Sequence, residues 1–224
     1  MTRETRETPR TRARRPVGEL TLITGGVRSG KSAFAERRAT RLAEQGSGGA
    51  VTYVATARAW DAEMAARIER HRARRPAAWR TVEAPLALAH AVADALDAGA
   101  AVVLVDSVDF WVSNRLLEAN PVSGTQLHPW ATAALERELV AEAETVIARH
   151  RQGTAHLLLV TIEAGMGVVP PHPLGRAFRD LLGRVNTTFA AAADRVYLLV
   201  AGLPVDVKRL SGELQQGGED GPHG

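Results

Sequence analysis

Eight consecutive residues, GGVRSGKS, constrain the fold of this chain more than any other feature of its sequence. They match the pattern G-x-x-x-x-G-K-[ST], in which glycines let backbone N–H groups wrap around a phosphate and the following helix presents its positive N-terminal end to the same anion. The pattern predicts a phosphate-binding loop (P-loop), with a plain glycine-rich turn as the alternative. The residues expected to bind nucleotide in this loop are Gly25, Gly26, Val27, Arg28, Ser29, Gly30, Lys31 and Ser32.

The segments on either side of the loop supply the context that such a loop requires. The apolar run Leu20–Thr24 predicts a buried strand before it, and Lys31–Glu44 predicts an amphipathic helix after it. In that setting the ammonium group of Lys31 is expected to reach the β- and γ-phosphates and to act in catalysis. The hydroxyl of Ser32 is expected to bind Mg²⁺.

From Glu19 onward, short apolar runs alternate with longer amphipathic segments. This alternation is typical of an α/β fold, so we predict a mainly parallel sheet flanked by helices, of the P-loop NTPase type. The predicted strands are Leu20–Thr24, Val51–Thr56, Ala101–Asp106, His156–Ile162 and Arg195–Gly202. The predicted helices are Lys31–Glu44, Asp61–Arg75, Leu86–Leu96, Trp130–Arg149 and Leu174–Ala193, with a polar loop over about Asn120–Pro129.

The positive charge of the chain is concentrated at its N-terminal end. The formal net charge is +3, yet residues 1–16 carry six arginines against two glutamates, which leaves about −1 for the remainder. Because such a composition cannot bury a core, we predict a disordered Arg-rich tail over 1–17, a single domain over 18–210 and a second disordered tail over 211–224. A nucleic-acid-binding first tail is the alternative. Our prediction includes no nucleic-acid partner.

Two absences in the composition exclude some classes of function. With no cysteine, the chain has no disulfide, no thiolate metal site and no cysteine nucleophile, which fits a reducing compartment, and a cytoplasmic location is expected. The sequence contains no apolar run of the roughly 18 residues that a membrane-spanning helix needs, so no membrane span is predicted.

An acidic residue at the end of a neighbouring strand usually assists a P-loop by holding Mg²⁺. Asp106 closes the apolar run AVVLV and is our first choice as a ligand of both metal and nucleotide, while Glu163, which follows VTI, is the rival. Both would lie at the carboxyl edge of the sheet, where ligands bind in open α/β folds. A helix N-cap or a solvated strand end is the alternative role of Asp106.

Three stretches downstream of the loop carry a resemblance to a known family. They are Tyr53–Pro85, Val103–Asn114 and Glu163–Lys208. Together with GGVRSGKS, including its Arg28, they closely resemble the adenosylcobinamide kinase/adenosylcobinamide-phosphate guanylyltransferase family of cobalamin biosynthesis. The resemblance extends from about Leu20 to Lys208, and several independent motifs occur in the right order.

The resemblance implies an enzyme with two reactions. The first phosphorylates the aminopropanol hydroxyl of adenosylcobinamide, with ATP or GTP as substrate and Mg²⁺ as cofactor. The second transfers GMP from GTP to that phosphate and yields adenosylcobinamide-GDP and pyrophosphate. In the family, a histidine of the motif R-I-x-x-H carries the guanylyl group; here the motif is Arg67–His71, so His71 is the expected nucleophile. A neutral imidazole suits that role because it is nucleophilic near pH 7. Relatives form trimers, which implies a homo-oligomer.

Further nucleotide-binding residues are implied by the same resemblance. Ala55, Thr56 and Ala57 match a stretch that contacts guanine nucleotide. Glu83 matches a nucleotide-contacting glutamate, which would accept hydrogen bonds from the guanine N1–H and 2-amino groups. The segment after the nucleophile matches a phosphate-binding segment whose guanidinium groups would offset triphosphate charge. Its residues are Arg72, Ala73, Arg74 and Arg75.

The chain also departs from the family pattern close to the expected site. Ser107, Val108 and Asp109 stand where relatives often have Cys-Leu-Thr, and Ile162 replaces an asparagine that often precedes Glu163. None of the residues assigned to chemistry is lost by these changes.

Two other functions fit a P-loop domain of this size. One is a kinase of another small alcohol without guanylyl transfer, and the other is a non-catalytic module that uses nucleotide as a switch. A histidine-bound GMP would distinguish the bifunctional enzyme from the first, and turnover of adenosylcobinamide would distinguish it from the second.

Overall fold

The computed structural model describes residues 18–45, 49–120 and 129–217. Within them, seven strands form one sheet in the order β3-β2-β4-β5-β1-β6-β7, in which every neighbouring pair is parallel except β6 and β7. The predicted α/β fold with a mainly parallel sheet is confirmed. The strands are β1 (Leu20–Gly25), β2 (Val51–Ala55), β3 (Arg80–Glu83), β4 (Val102–Asp106), β5 (His156–Val160), β6 (Arg195–Val200) and β7 (Leu203–Asp206).

Helices flank the sheet, and in the described ranges none is long and apolar enough to cross a membrane. They are α1 (Lys31–Gln45), α2 (Ala62–Ala73), α3 (Leu88–Asp97), α4 (Val108–Ala119), α5 (Pro129–Arg151), α6 (Pro173–Ala192) and α7 (Val207–Gly217).

The core lies on both faces of the sheet because alternate strand residues point to opposite sides. On one face, Ile23 and Leu104 pack against α1 through Ala35. On the other face, Leu22 and Val103 belong to a larger cluster that includes residues of α3, α4, α5 and α6. A parallel sheet covered on both faces requires apolar residues at successive positions, which explains the continuous apolar runs of β4 and β5.

Four elements of the structure have no counterpart among the predicted ones: β3, α4, β7 and α7. The two strands are four residues long and have no buried residue, so they show no apolar run. Helix α4 shows little amphipathic contrast, because its buried face combines Trp111 with the polar Asn114. Short or mixed segments of this kind follow their tertiary neighbours more than their own composition.

The predicted C-terminal tail begins too early. Helix α7 continues to Gly217, so the prediction of disorder is wrong for residues 211–217. Asp206 caps the helix, since its Oδ1 accepts a hydrogen bond from the backbone N–H of Arg209 at 3.1 Å. Arg209 in turn pairs with Glu213 one turn later, also at 3.1 Å. The predicted tail over 1–17, the last seven residues and loop residues 121–128 lie outside the described residues.

The carboxyl edge of the sheet gathers the predicted site residues. Strands β3, β2, β4, β5 and β1 end there side by side, and the P-loop follows β1. Ala55 at the end of β2 is paired with Glu83 of β3 on one side and with Asp106 of β4 on the other. Residues that are far apart in the sequence are therefore neighbours because of the strand order.

Candidate active site

The P-loop requires glycine at specific positions. Gly25 has φ of +144°, and a Cβ there would lie 2.4 Å from the carbonyl oxygen of Leu199 on β6. Gly30 has φ of +93°, which is also outside the range that side chains favour. Arg28 has φ of +58°, an uncommon conformation for a residue other than glycine. The loop thus holds a tightly turned backbone directly after a buried strand.

Lys31 is held at the junction of this loop and α1. Its Nζ donates a hydrogen bond to the carbonyl oxygen of Gly26 at 2.6 Å, and the residue is only 9% exposed. The backbone N–H of Gly202 donates to the carbonyl of Ser29 at 3.0 Å, which fixes the loop against the turn between β6 and β7. The ammonium group therefore lies beside the N-terminus of α1, where the helix also attracts anions.

A cleft of about 450 Å³ opens above the loop, and we call it the phosphate cleft. Its walls carry four cationic side chains against one carboxylate, that of Glu63. The cationic residues are Arg28, Lys31, Arg70 and Arg74. Such a concentration of positive charge suits a polyphosphate.

A second cleft of about 470 Å³ lies beside the first, and we call it the apolar cleft because most of its surface is hydrocarbon. Seven of the predicted site residues line it: Ser32, Ala55, Ala57, His71, Arg75, Glu83 and Asp106. Residues that the sequence analysis did not assign complete it: Tyr53, Arg58, Ala59, Trp60, Met64, Ile68, Pro85 and Phe110. For Arg58 to Trp60, the available signal was their position just after Ala57, at the end of a strand that reaches the same edge.

His71 and Ser32 line both clefts. His71 lies in the last turn of α2, which Asp61 caps by accepting a hydrogen bond from the backbone N–H of Met64 at 2.7 Å. At the other end of the helix, Nε of Arg75 donates to the carbonyl oxygen of His71 at 3.3 Å. The imidazole of His71 is partly buried and borders both a cationic space and an apolar one.

The side chain of Tyr53, on β2, contacts both Asp106 and Arg75. Its hydroxyl donates a hydrogen bond to Oδ2 of Asp106 at 2.9 Å, and the guanidinium carbon of Arg75 lies 3.8 Å from the centre of its ring. Burial, followed by the negative charge of Asp106, raises the pKa of the Tyr53 hydroxyl far above its ordinary value. The hydroxyl therefore stays protonated and remains a donor at every physiological pH.

Two more carboxyl groups lie close enough to Asp106 for its negative charge to raise their pKa. Burial raises the pKa of Asp109 to about 6, and the charge of Asp106 adds to this effect while Lys31 opposes it. Oδ1 of Asp109 is buried and has no hydrogen-bond partner among the described residues. Burial, followed by Asp106, also raises the pKa of Glu36, which is one helical turn after Ser32 on α1. That four-residue spacing was the signal in the sequence for Glu36.

Some predicted nucleotide-binding residues line neither cleft. Thr56 is fully buried, and its hydroxyl donates to the carbonyl of Ser107 at 2.6 Å and accepts from the Ser107 N–H at 2.8 Å. It thus ties the end of β2 to the end of β4. Arg72 and Ala73 line neither cleft in the described part of the chain. Glu163, the rival acid, is also absent from both walls, and its Oε1 accepts a hydrogen bond from the N–H of Gly165 at 3.0 Å.

The oxygen donors of the site fit Mg²⁺ chemically. The hydroxyl of Ser32 and the carboxylate of Asp106 line the same cleft, and both are hard oxygen ligands. The described residues contain no group of three or more His, Cys, Asp or Glu side chains that could hold a metal ion alone. The pair of oxygen ligands fits Mg²⁺, which is usually bound through one or two protein ligands together with substrate phosphates.

A parallel sheet, a glycine-rich loop after β1 and a cationic cleft above it define a P-loop nucleotide-binding protein of the α/β class. The profile of the family described as cobinamide kinase / cobinamide phosphate guanyltransferase matches residues 21–207, so the chain belongs to that family. The predicted family is confirmed, and the protein is a bifunctional kinase and guanylyltransferase of cobalamin biosynthesis that uses nucleotides. This assignment favours the bifunctional enzyme over the two alternatives from the sequence.

Named relatives agree with the family assignment. The chain is 42% identical over 191 residues to the bifunctional adenosylcobalamin biosynthesis protein CobU of Escherichia coli (strain K12), which covers 84% of this chain and 99% of that protein. It is 41% identical over 189 residues to the protein of the same name from Salmonella typhimurium (strain LT2), with the same two coverages. It is also 41% identical over 187 residues to the bifunctional protein CobP of Pseudomonas aeruginosa, covering 84% of this chain and 96% of that one.

Proposed function

We propose that this protein phosphorylates adenosylcobinamide with ATP or GTP and Mg²⁺, and then transfers GMP from GTP to the product through a covalent intermediate on His71. The observation that carries the proposal is the position of His71 in the shared wall of the two clefts. A GTP with its base in the apolar cleft and its β- and γ-phosphates in the phosphate cleft would have its α-phosphate at that wall.

The kinase reaction needs in-line positioning and neutralisation of charge, and no covalent intermediate. Lys31 and the backbone N–H groups of the P-loop are suited to hold the β- and γ-phosphates. Ser32 and Asp106 are the residues that would hold Mg²⁺, which would neutralise part of the phosphate charge. The hydroxyl of adenosylcobinamide then attacks the γ-phosphorus and releases its proton to water. The bond between the γ-phosphorus and the β-phosphate oxygen breaks, and the nucleoside diphosphate leaves.

The guanylyl transfer divides into two displacements. The imidazole of His71 attacks the α-phosphorus of GTP; an N–P bond forms, the bond to the β-phosphate oxygen breaks, and pyrophosphate leaves. A phosphate oxygen of adenosylcobinamide phosphate then attacks the same phosphorus, and the N–P bond breaks to release the neutral imidazole. Arg70 and Arg74 in the phosphate cleft are suited to offset the charge of pyrophosphate.

Recognition of guanine is assigned to the apolar cleft. The carboxylate of Glu83 has the chemistry to accept hydrogen bonds from the guanine N1–H and 2-amino groups, which adenine lacks in that arrangement. Ala55 and Ala57 offer small side chains beside it, so the base can approach the ends of β2 and β3 closely. Thr56 would act by fixing the backbone between them, given its bonds to Ser107.

The test compares His71→Asn with wild type after incubation with α-labelled GTP and Mg²⁺. Wild type is expected to gain one acid-labile, alkali-stable GMP adduct by intact mass, and His71→Asn to gain none and to lose guanylyl transfer. Kinase activity with ATP should persist in the variant, since that reaction needs no covalent intermediate. His90→Asn, a histidine on α3 whose side chain is 78% exposed, is the matched control and should form the adduct normally.

Two results would contradict the proposal. An adduct of full stoichiometry in His71→Asn would move the nucleophile to another residue. Guanylyl transfer at the wild-type rate without any adduct would mean that the substrate phosphate attacks GTP directly. The homotrimer and the cytoplasmic location stay predictions; sedimentation at equilibrium tests the trimer.

A further inference from the structure

Tyr53 is one of two tyrosines in the chain, and it contacts both halves of the proposed machinery. It lies in β2 and is 3% exposed. Its hydroxyl makes a hydrogen bond, and the face of its ring makes a separate contact with an arginine. The hydroxyl reaches Asp106, the residue that would hold Mg²⁺, and the ring face carries Arg75, the residue that contacts the backbone of His71.

The hydroxyl of Tyr53 controls the orientation of the Asp106 carboxylate. Because it donates to Oδ2 at 2.9 Å, rotation of the carboxylate would break a buried hydrogen bond to a charged acceptor. Oδ1 is then left as the oxygen for a cation. Groups that hydrogen-bond to a metal ligand in this manner commonly change metal affinity by about 10- to 100-fold when they are removed.

The ring of Tyr53 supports the histidine end of α2. The guanidinium group of Arg75 lies over the ring. The same group donates from Nη1 to Oγ1 of Thr81 at 2.9 Å and from Nε to the carbonyl oxygen of His71. Among its described side chains, α2 has none that is buried, so packing in the core does not hold this helix. The contact from Arg75 to the carbonyl oxygen of His71 is therefore one of those that position this residue.

We propose that Tyr53 is a positioning residue for both reactions: its hydroxyl aims Asp106 at the cation, and its ring holds Arg75 and thereby the His71 end of α2. The inference rests on the proposed function for the roles of Asp106 and His71. It predicts that the two contacts can be removed separately and that each removal affects a different measurement.

The first experiment uses Tyr53→Phe, which removes the hydroxyl and keeps the ring. Mn²⁺ binding is followed by electron paramagnetic resonance in the presence of the β,γ-imido analogue of ATP, without turnover. We expect Mn²⁺ to bind about 10-fold more weakly than to wild type. At saturating Mg²⁺ and GTP, the rate of adduct formation on His71 should fall much less than in a variant that also loses the ring, since the Arg75 contact remains.

The second experiment uses Tyr53→Leu, which removes the ring as well. At saturating Mg²⁺ and GTP, its single-turnover rate of adduct formation should fall at least about 10-fold below that of Tyr53→Phe, because small displacements of a nucleophile are costly. If Tyr53→Leu does not fold, Arg75→Gln replaces it. In Arg75→Gln, a lower rate of adduct formation at saturating GTP would support a role of Arg75 in positioning His71. A higher KM for GTP without a change in that rate would mean that Arg75 binds nucleotide directly, and it would overturn the ring half of the proposal.

Tyr197→Phe is the matched control for the first experiment. Tyr197 is the other tyrosine, and it too has an arginine, Arg38, against its ring, at 5.2 Å. Unchanged Mn²⁺ affinity in Tyr53→Phe would overturn the hydroxyl half, and an unchanged adduct rate in Tyr53→Leu would overturn the ring half. Absence of an adduct in wild type would be a failure of the proposed function instead, and the Mn²⁺ measurement would still test the hydroxyl.

Discussion

The P-loop and the helix that carries His71 face the same two clefts, yet they are built in opposite ways. The P-loop follows a strand that is almost wholly buried and leads into α1, which buries Ala35, Ala39 and Ala43 in the core. Helix α2 buries none of its described side chains and is held by the Asp61 cap and the contacts of Arg75.

This difference matches the two kinds of chemistry that we propose. A P-loop binds phosphate through backbone geometry, so its shape must be fixed by the core around it. A histidine that receives and then donates a nucleotidyl group must be accessible to two successive partners, which favours an exposed helix fixed by polar contacts. We therefore expect substitutions beside the P-loop to change chemistry or global stability, and those in the supports of α2 to change mainly guanylyl transfer.

The largest effect is expected at Lys31. Lys31→Ala removes the ammonium group at the P-loop, and loss of one such contact costs on the order of 2–4 kcal/mol in the transition state, or about 30- to 1000-fold in rate. Both the kinase rate and the rate of adduct formation should fall while the melting temperature changes little. Steady-state kinetics and calorimetry on the same sample measure the two quantities.

Lys208, the only other lysine, provides the contrast. Its Nζ donates to backbone carbonyls at the end of α6, including those of Ala190 at 3.1 Å and Ala191 at 3.2 Å. Lys208→Ala should lower stability by about 1 kcal/mol and leave both rates unchanged. If folded Lys31→Ala kept the wild-type rates of the kinase reaction and of adduct formation, the contrast between the P-loop and helix α2 would have no basis.

The second-largest effect is expected at Asp109, where a substitution changes the free energy of unfolding in a pH-dependent way. In the folded state the pKa of Asp109 is raised from 3.8 to about 6, so the folded state binds the proton of this carboxyl group more tightly than the unfolded state does. The resulting contribution to the free energy of unfolding is lost as the pH rises through about 6. Asp109→Asn should therefore raise the free energy of unfolding above pH 7 by at most about 3 kcal/mol, and change it little near pH 4. Denaturant titrations at both pH values, without nucleotide, measure it.

Glu69→Gln is the matched control for Asp109→Asn, because Glu69 is an exposed carboxylate on α2. Its effect should stay within about 0.5 kcal/mol at either pH. If Asp109→Asn raised the free energy of unfolding equally at both pH values, the buried charge would not be the source of the gain.

The smallest effect is expected at Asp61. Asp61→Ala removes the hydrogen bond to the N–H of Met64, which for a helix cap is worth about 1 kcal/mol. Because α2 buries no described side chain, global unfolding should hardly change, while the rate of adduct formation falls a few-fold and the kinase rate is kept. Asp61→Asn retains a capping side chain and should restore the adduct rate. Equal losses in both reactions would mean that α2 supports the P-loop as well.

The fold was largely predictable because its signals are local. A buried parallel strand is apolar at successive positions, so β4 and β5 were visible as runs of Leu and Val. The edge strands β3 and β7 were not, since each is four residues long and without a buried residue. The part of helix α7 from residue 211 onward was predicted to be disordered because its composition is polar, while the Asp206 cap and the Arg209–Glu213 pair depend on the folded chain.

The sequence by itself determined the P-loop and, through motif resemblance, the family and the candidate nucleophile. Lys31 and Ser32 have their positions because strand, loop and helix are contiguous in the chain. Only the tertiary structure decided that Tyr53 lies against Asp106 and Arg75, and that His71 borders two clefts. The physical reason is that these residues meet through the order of strands in the sheet, and long-range pairing leaves no periodic signal in the local sequence.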